Sequence, residues 1–162
     1  MTIKVGDKLP SVTLRQVTAE GPKEVTSDEF FRGRKVVLFA VPGAFTPACS
    51  QRHLPGYVDK ASDIKAKGID EVACVAVNDA AVMGAWGRSQ KTEGKVTMLA
   101  DGSGDFVRAL GLELDLSKGG LGVRSQRYSM LVENGVVKSL NVEAQPGQVD
   151  ASSAEAMLKA LV

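Results

Sequence analysis

The stretch KVVLFAVPGAFTPACS, residues 35–50, joins an apolar strand to a cysteine at the start of a helix. Its first part, KVVLFAV (35–41), is continuously apolar and rich in valine, and EVACVAV (71–77) has the same character. Continuous rather than alternating apolar runs are typical of strands that are buried on both faces. Two such strands with a helical pattern between them predict parallel pairing, and therefore an α/β fold.

Further strands are predicted on both sides of this unit. Asn134-Gly135 is a strong two-residue hairpin signal, because both central positions of a type I′ turn need a positive φ. A second hairpin is expected near the N-terminus, with its turn at Gly21-Pro22. The further predicted strands are VTMLA (96–100), the two strands of the Asn134-Gly135 hairpin, YSMLVE (128–133) and VVKSLNV (136–142), and the two strands of the N-terminal hairpin, SVTLRQV (11–17) and EVT (24–26).

A long helix is predicted after Cys49, ending at Gly68. Pro55 lies inside this pattern, so we expect a kink or a shortened first turn. The apolar positions recur at spacings of three and four, as on one face of a helix, and are Leu54, Tyr57, Val58, Ala61 and Ile64.

Three shorter helices are predicted from their first residues. Asn78-Asp79 opens one, and Ser103 precedes another. Ser152 and Glu155 form a capping box before the C-terminal helix. Strands joined by helices, followed by an antiparallel hairpin, predict a three-layer α/β fold with a central mixed β-sheet flanked by helices. We expect a single domain over residues 1–162.

Composition excludes several classes of partner. The formal net charge is +1 and no block of like charge occurs, so neither nucleic acid nor an anionic membrane is an expected partner. The longest apolar runs have six residues, which is too short to cross a bilayer. We therefore expect a soluble, cytoplasmic protein. Two cysteines and the single His53 are too few for a structural zinc site, and no cofactor is expected.

Cys49 lies between the end of a buried strand and the start of a helix, at the edge of a parallel sheet where ligands usually bind. Helix starts and nearby arginines stabilise thiolates, which are the reactive form of cysteine. Thr46 stands where a C-x-x-C motif would have its first cysteine, which favours chemistry on an oxygen-bearing substrate over dithiol exchange. The structural alternatives are a buried Cys49 without function and a Thr46 that only caps a turn.

The sequence resembles the peroxiredoxins over nearly the whole chain, from about residue 3 to residue 161. PGAFTPACS matches their P-x-x-x-T-x-x-C active-site motif. The resemblance is to the type II, peroxiredoxin-5-like subfamily, and it implies a thioredoxin-like fold and a thiol-dependent peroxidase. The supporting segments are HLPGY, VNDAAVMGAW, LADGSGDF, LGLELDL and SQRYSMLVENGVVKSLNVE.

The resemblance implies a role for each residue of the motif. Cys49 would be the peroxidatic cysteine, which attacks hydrogen peroxide or an alkyl hydroperoxide and becomes a sulfenic acid. Thr46 would hydrogen-bond the peroxide and the thiolate, and Pro42 would shield the sulfur from water. Arg127 would supply positive charge, although sequence spacing alone does not favour it over Arg124. The resemblance also implies a homodimer.

The role of Cys74 stays open at this point. It would either resolve the oxidised Cys49 by forming an intramolecular disulfide, or be a buried structural cysteine. In the second case the reductant would be external: glutathione, glutaredoxin or thioredoxin. Two other functions remain as alternatives, a disulfide oxidoreductase and a non-enzymatic redox sensor.

Other polar residues are given structural interpretations. We expect His53 to make a structural hydrogen bond rather than to act as a catalytic base. KGGLG (118–122) is interpreted as a mobile loop that leads to Arg127. A solvated surface is expected for four scattered acids, Asp101, Asp105, Glu113 and Asp115.

Overall fold

Nine strands and five α-helices occur within residues 2–161, which are the residues that the computed structural model describes. The strands are β1 Thr13–Thr18, β2 Gly21–Thr26, β3 Lys35–Ala40, β4 Glu71–Ala76, β5 Thr97–Ala100, β6 Glu113–Asp115, β7 Val123–Ser125, β8 Tyr128–Glu133 and β9 Val136–Val142. The α-helices are α1 Ser27–Phe31, α2 Leu54–Lys65, α3 Ala80–Gln90, α4 Asp105–Leu110 and α5 Ala154–Ala160. No helix within the described residues is long and apolar enough to cross a membrane.

Seven strands form the central sheet, in the order β2-β1-β5-β4-β3-β8-β9. The inner strands β3, β4 and β5 are parallel, while the pairs that involve β1, β2, β8 and β9 are antiparallel. The predicted α/β fold with a central mixed sheet is confirmed, and it is the thioredoxin-like fold that the resemblance implies.

Helices cover both faces of the sheet because β3 and β4 are apolar on both sides. Val37 and Phe39 pack with Tyr57 of α2 and Trp86 of α3. Alternate residues of β3 point the other way, and the opposite core contains Leu38 with the buried side chains of α1 and α4. The C-terminal edge of the parallel strands is therefore the place where a loop can leave the core and form a site.

Two turns test the hairpin predictions. Asn134 and Gly135 have φ values of 49° and 78°, as the β8–β9 hairpin requires. The N-terminal hairpin also forms, but its turn was placed wrongly: Gly21 and Pro22 belong to β2 and pair with Thr18 and Val17. Pro22 is tolerated there because β2 is an edge strand, where a residue without an N–H need not interrupt the hydrogen bonds between strands.

The start of the long helix differs from the expected kink. Cys49–His53 form a π-helical turn that continues into α2, and the Leu54 N–H donates to the Cys49 carbonyl. Pro55 has no N–H to donate, so the usual hydrogen-bond ladder is interrupted where the wide turn meets α2. The KGGLG segment lies between β6 and β7, and its first two residues, Lys118 and Gly119, belong to a short 3₁₀ turn, Ser117–Gly119.

Two helix caps also differ from the sequence prediction. Ser153, not Ser152, caps α5 by accepting from the Ala156 N–H, because the Ser152 hydroxyl donates to Glu143 instead. Asp101 is buried rather than solvated, and its carboxylate accepts hydrogen bonds from the N–H groups at the start of α4. A buried carboxylate is tolerated there because two backbone donors satisfy it.

Candidate active site

Cys49 lies just beyond the C-terminal end of β3, on the π-helical turn, and its side chain is fully buried. The loop before it is held to the end of β4, because the Ala44 N–H donates to Asn78 Oδ1 at 2.9 Å. On the other side, Trp86 Nε1 donates to Ser50 Oγ at 3.0 Å. The sequence pattern predicted this position, and the structure adds that the sulfur points into the core below α2 and α3.

Arg127 is the cation that contacts the sulfur. It lies one residue before β8, its side chain is only 2% exposed, and Nη2 donates to Cys49 Sγ at 3.1 Å. Nε donates to the Pro146 carbonyl at 2.9 Å, and Nη1 lies 2.9 Å from His53 Nδ1. Three partners on three sides hold the guanidinium plane in one orientation against the sulfur.

His53 has a structural role on the other side of Arg127. Burial, followed by the charge of Arg127, lowers the pKa of His53 to about 3, so the imidazole is neutral near neutral pH. Because Arg127 can only donate, Nδ1 is the accepting nitrogen. Nε2 then carries the proton and donates to the Ser152 carbonyl at 3.0 Å. The expected structural hydrogen bond is present, and His53 makes two.

Arg124 takes a different place from Arg127. It is half-buried; Nη1 donates to the Pro42 carbonyl at 3.3 Å and Nε to the Leu121 carbonyl at 2.9 Å. A Cβ on Gly43 would lie 2.9 Å from Arg124 Nη1, so this glycine allows the close approach. Arg124 therefore joins the loop before Cys49 to the β6–β7 hairpin and makes no hydrogen bond to the sulfur.

Pro42 and Thr46 lie on the loop between β3 and Cys49. Pro42 is buried, whereas Thr46 is half-buried and its hydroxyl donates to the Gly43 carbonyl at 2.7 Å. The proton of the Thr46 hydroxyl is thus used in a hydrogen bond within the loop, and the hydroxyl oxygen can still accept hydrogen bonds through its lone pairs. The loop also contains Phe45, which has a φ of 64° and a side chain that is 53% exposed.

Cys74 lies on β4, opposite Phe39 of β3, and is fully buried in the same core as Cys49. Both thiols are free. Burial, with a further contribution from the nearby Cys49, raises the pKa of the Cys74 thiol well above its ordinary value. Cys74 is therefore a protonated, unreactive thiol in this conformation.

Glu143 is a site residue that the sequence analysis missed. It follows β9, is 8% exposed, and its carboxylate binds the segment that supplies the Pro146 and Ser152 carbonyls. No spacing rule connects an acid at a strand end with an arginine sixteen residues earlier in the chain. The only signal was indirect, a charged residue at the end of an otherwise apolar strand pattern.

The arrangement provides a nucleophile beside a fixed positive charge. A thiolate at Cys49 would be stabilised by Arg127, and so would negative charge that develops on an attacked oxygen. Among residues 2–161, no group of three or more His, Cys, Asp or Glu side chains could hold a metal ion.

Known proteins share both the sequence and the fold. The Redoxin family profile matches residues 4–158. Peroxiredoxin-2E-2 of Oryza sativa subsp. japonica is 56% identical, covering 99% of this chain and 73% of its own. Peroxiredoxin-2E of Arabidopsis thaliana is 52% identical, and the match covers 99% of this chain and 70% of the Arabidopsis protein. The structure of reduced Prx3 of Vibrio vulnificus in complex with hydrogen peroxide superposes with a TM-score of 0.94 at 53% identity. The superposition covers 99% of this chain and 100% of Prx3.

The prediction of a cytoplasmic location is contradicted by these relatives. Both plant proteins are chloroplastic and not cytoplasmic. The prediction was wrong because cellular location is set by targeting segments, which the composition of a folded domain does not reveal.

The neutral, buried His53 leads to a prediction about pH and stability. As pH falls below about 6.5, the unfolded chain binds a proton that the folded protein excludes down to about pH 3. The free energy of unfolding should therefore fall with decreasing pH by up to about 1.4 kcal/mol per unit from this group. Urea unfolding of the wild type and of His53→Gln, between about pH 5 and pH 7, measures the difference. Since His53 is the single histidine, equal slopes in the two proteins would contradict the prediction.

Proposed function

Because the chain belongs to the Redoxin family and is a type II peroxiredoxin, an enzyme that reduces peroxides with electrons from thiols, we propose that Cys49 is its peroxidatic cysteine. The observation that carries the proposal is the 3.1 Å contact from Arg127 Nη2 to Cys49 Sγ. A buried, always-protonated guanidinium is the group that best stabilises a thiolate at that position.

The reaction begins with the Cys49 thiolate. It attacks one peroxide oxygen, the S–O bond forms as the O–O bond breaks, and the leaving oxygen takes a proton to become water or an alcohol. Cys49 is oxidised to a sulfenic acid and the peroxide is reduced. Arg127 bears on this step because negative charge develops on the leaving oxygen beside its guanidinium.

Pro42 and Thr46 form the wall of the site in this proposal. The buried Pro42 ring keeps water from the sulfur, and its carbonyl is held by Arg124. Thr46 Oγ1, whose own proton goes to Gly43, accepts a hydrogen bond from the peroxide hydroxyl. Hydrogen peroxide and alkyl hydroperoxides are the proposed substrates, since both offer that hydroxyl.

An external thiol completes the proposed cycle. It attacks the sulfenic acid sulfur, a mixed disulfide forms as water leaves, and a second thiol then releases Cys49. Glutathione, glutaredoxin and thioredoxin are the candidate reductants. The buried position and raised pKa of Cys74 disfavour it as the resolving thiol, because a central strand would have to be reached from the start of a helix.

We also propose a homodimer and a single domain over the whole chain. Four large apolar side chains are highly exposed in the described residues, and three lie on the segments that Arg124 joins: Phe45, Leu121 and Val123. The positive φ of Phe45 is a conformation that costs energy, so a surface loop keeps it only where it is used. A second copy of the chain covering this patch would remove it from water.

The first prediction from the proposed function separates the two arginines. Arg127→Gln should lower the second-order rate of Cys49 oxidation by hydrogen peroxide by about a hundredfold, as losing one transition-state donor does. Arg124→Gln should lower it far less, because its guanidinium contacts backbone carbonyls and not the sulfur. Stopped-flow oxidation of the reduced proteins measures both rates, with Cys49→Ser as the unreactive baseline. Equal losses in the two arginine variants, or turnover by Cys49→Ser, would overturn the assignment.

A second prediction concerns Cys74. After one equivalent of hydrogen peroxide, intact mass should show the addition of one oxygen, and Cys74 should remain available to an alkylating reagent once the protein is unfolded. This follows because Cys74 is buried and protonated. A loss of two hydrogens without any alkylatable thiol, in a monomer, would instead show an intramolecular disulfide. Cys74→Ser, which cannot form that disulfide, is the matched control.

A third prediction tests the homodimer. Leu121→Glu and Val123→Glu should shift the protein toward the monomer in sedimentation velocity, since each places a charge in the proposed contact. Val5→Glu is the control, because Val5 is 58% exposed but lies on the N-terminal segment, away from the residues joined by Arg124. A wild type that sediments as a monomer would contradict the proposal.

A further inference from the structure

The segment 143–153, EAQPGQVDASS, connects β9 to α5 and is called the strap here. Two of its carbonyl groups serve the active site. The Pro146 carbonyl accepts from Arg127 Nε at 2.9 Å. The Ser152 carbonyl accepts from His53 Nε2 at 3.0 Å and from the Tyr57 hydroxyl at 2.8 Å. The orientation of Arg127 thus depends on where a loop places its backbone.

Glu143 holds the two ends of the strap together. One carboxylate oxygen, Oε2, accepts from the Asp150 N–H, the Ser152 N–H and the Ser152 hydroxyl, each at 2.7 Å. Although burial opposes its ionisation, these hydrogen bonds hold the pKa of Glu143 below its usual range. The group is therefore an anion, and the three bonds have the short length of charge-assisted ones.

Glu143 is also connected directly to Arg127. Its backbone N–H donates to the Arg127 carbonyl at 2.9 Å, one step beyond the β8–β9 ladder. The backbone of Glu143 is thus fixed next to the arginine, while its side chain fixes the far end of the strap. A rigid connection runs from the β-sheet through Glu143 and Ser152 to His53, and from His53 to the guanidinium.

We propose that Glu143 is a positioning residue for peroxide reduction, which closes the strap and so holds the Arg127 guanidinium against the Cys49 sulfur. The inference rests on the role proposed above for Arg127. If the strap opens, Arg127 loses the Pro146 carbonyl and His53 loses its anchor at Ser152. The guanidinium can then turn away from the sulfur, and misplacement of this kind is costly even when the substituted residue lies outside the site.

The test compares three substitutions of Glu143. Glu143→Ala removes the carboxylate, and Glu143→Asp keeps its charge but draws it back by one methylene. Both should lower the rate of Cys49 oxidation by hydrogen peroxide between about tenfold and a hundredfold. The fraction of Cys49 present as thiolate at neutral pH, followed by its ultraviolet absorbance, should fall as well. Glu143→Gln keeps an acceptor oxygen in place and should restore most of the rate. If Glu143→Ala does not fold, Glu143→Asp carries the test alone.

Ser153→Ala is the matched control. It removes the α5 cap in the same segment, so it should lower stability without touching either carbonyl that serves the site. Its oxidation rate and thiolate fraction should equal those of the wild type. If Glu143→Asp also reacts at the wild-type rate, Glu143 is merely structural and the proposal is overturned.

A double-mutant comparison separates this inference from the proposed function. In an Arg127→Gln background, Glu143→Asp should cause no further loss, because the group it positions is gone. A full additional loss there would show that Glu143 acts by another route and would overturn the inference. If Arg127→Gln alone reacts normally, the proposed role of Arg127 fails first. If Arg127→Gln is slow and Glu143→Asp is fast, only the present inference fails.

Discussion

The contact between the Arg127 guanidinium and the Cys49 sulfur is the constraint on which the rest of the site depends. A cation that is 2% exposed needs partners on every side, and here they are a sulfur, an imidazole and a carbonyl oxygen. None of these three partners is a carboxylate, so the charge of Arg127 is not neutralised by an acid in direct contact. Its field is therefore directed at the sulfur, where a proposed peroxidatic thiolate would need it.

Burial explains why neutral partners surround the arginine. A charged His53 beside Arg127 would place two cations in the core, and burial and Coulomb repulsion both keep the imidazole neutral. The backbone of the buried Glu143 lies next to Arg127, while its carboxylate accepts hydrogen bonds from backbone N–H groups at the other end of the strap. The carboxylate is thus bound by the strap and not by the guanidinium, which the Pro146 carbonyl and the neutral His53 ring orient.

Local sequence patterns predicted the sheet and the position of Cys49 well. Valine-rich runs, the Asn134-Gly135 turn and helical spacing after Cys49 are features of neighbouring residues, and the structure follows them. The choice between Arg124 and Arg127 could not be predicted from the residues, since it depends on how the segment before β8 meets the π-helical turn Cys49–His53. Asp101 and Ser152 were misjudged for a related reason: their partners lie in elements whose packing no local pattern describes.

The complete burial of Cys49 also affects how this enzyme could be stabilised by design. A sulfur with no exposed surface cannot meet a thiol as large as a protein until the π-helical turn that carries it opens. Substitutions that convert this turn into a regular, well-capped helix would raise thermal stability while holding the sulfur inside. At the five residues Cys49–His53, a gain in thermal stability would therefore lower the rate at which a protein thiol reaches the sulfur. Stabilising substitutions should be sought elsewhere in the fold.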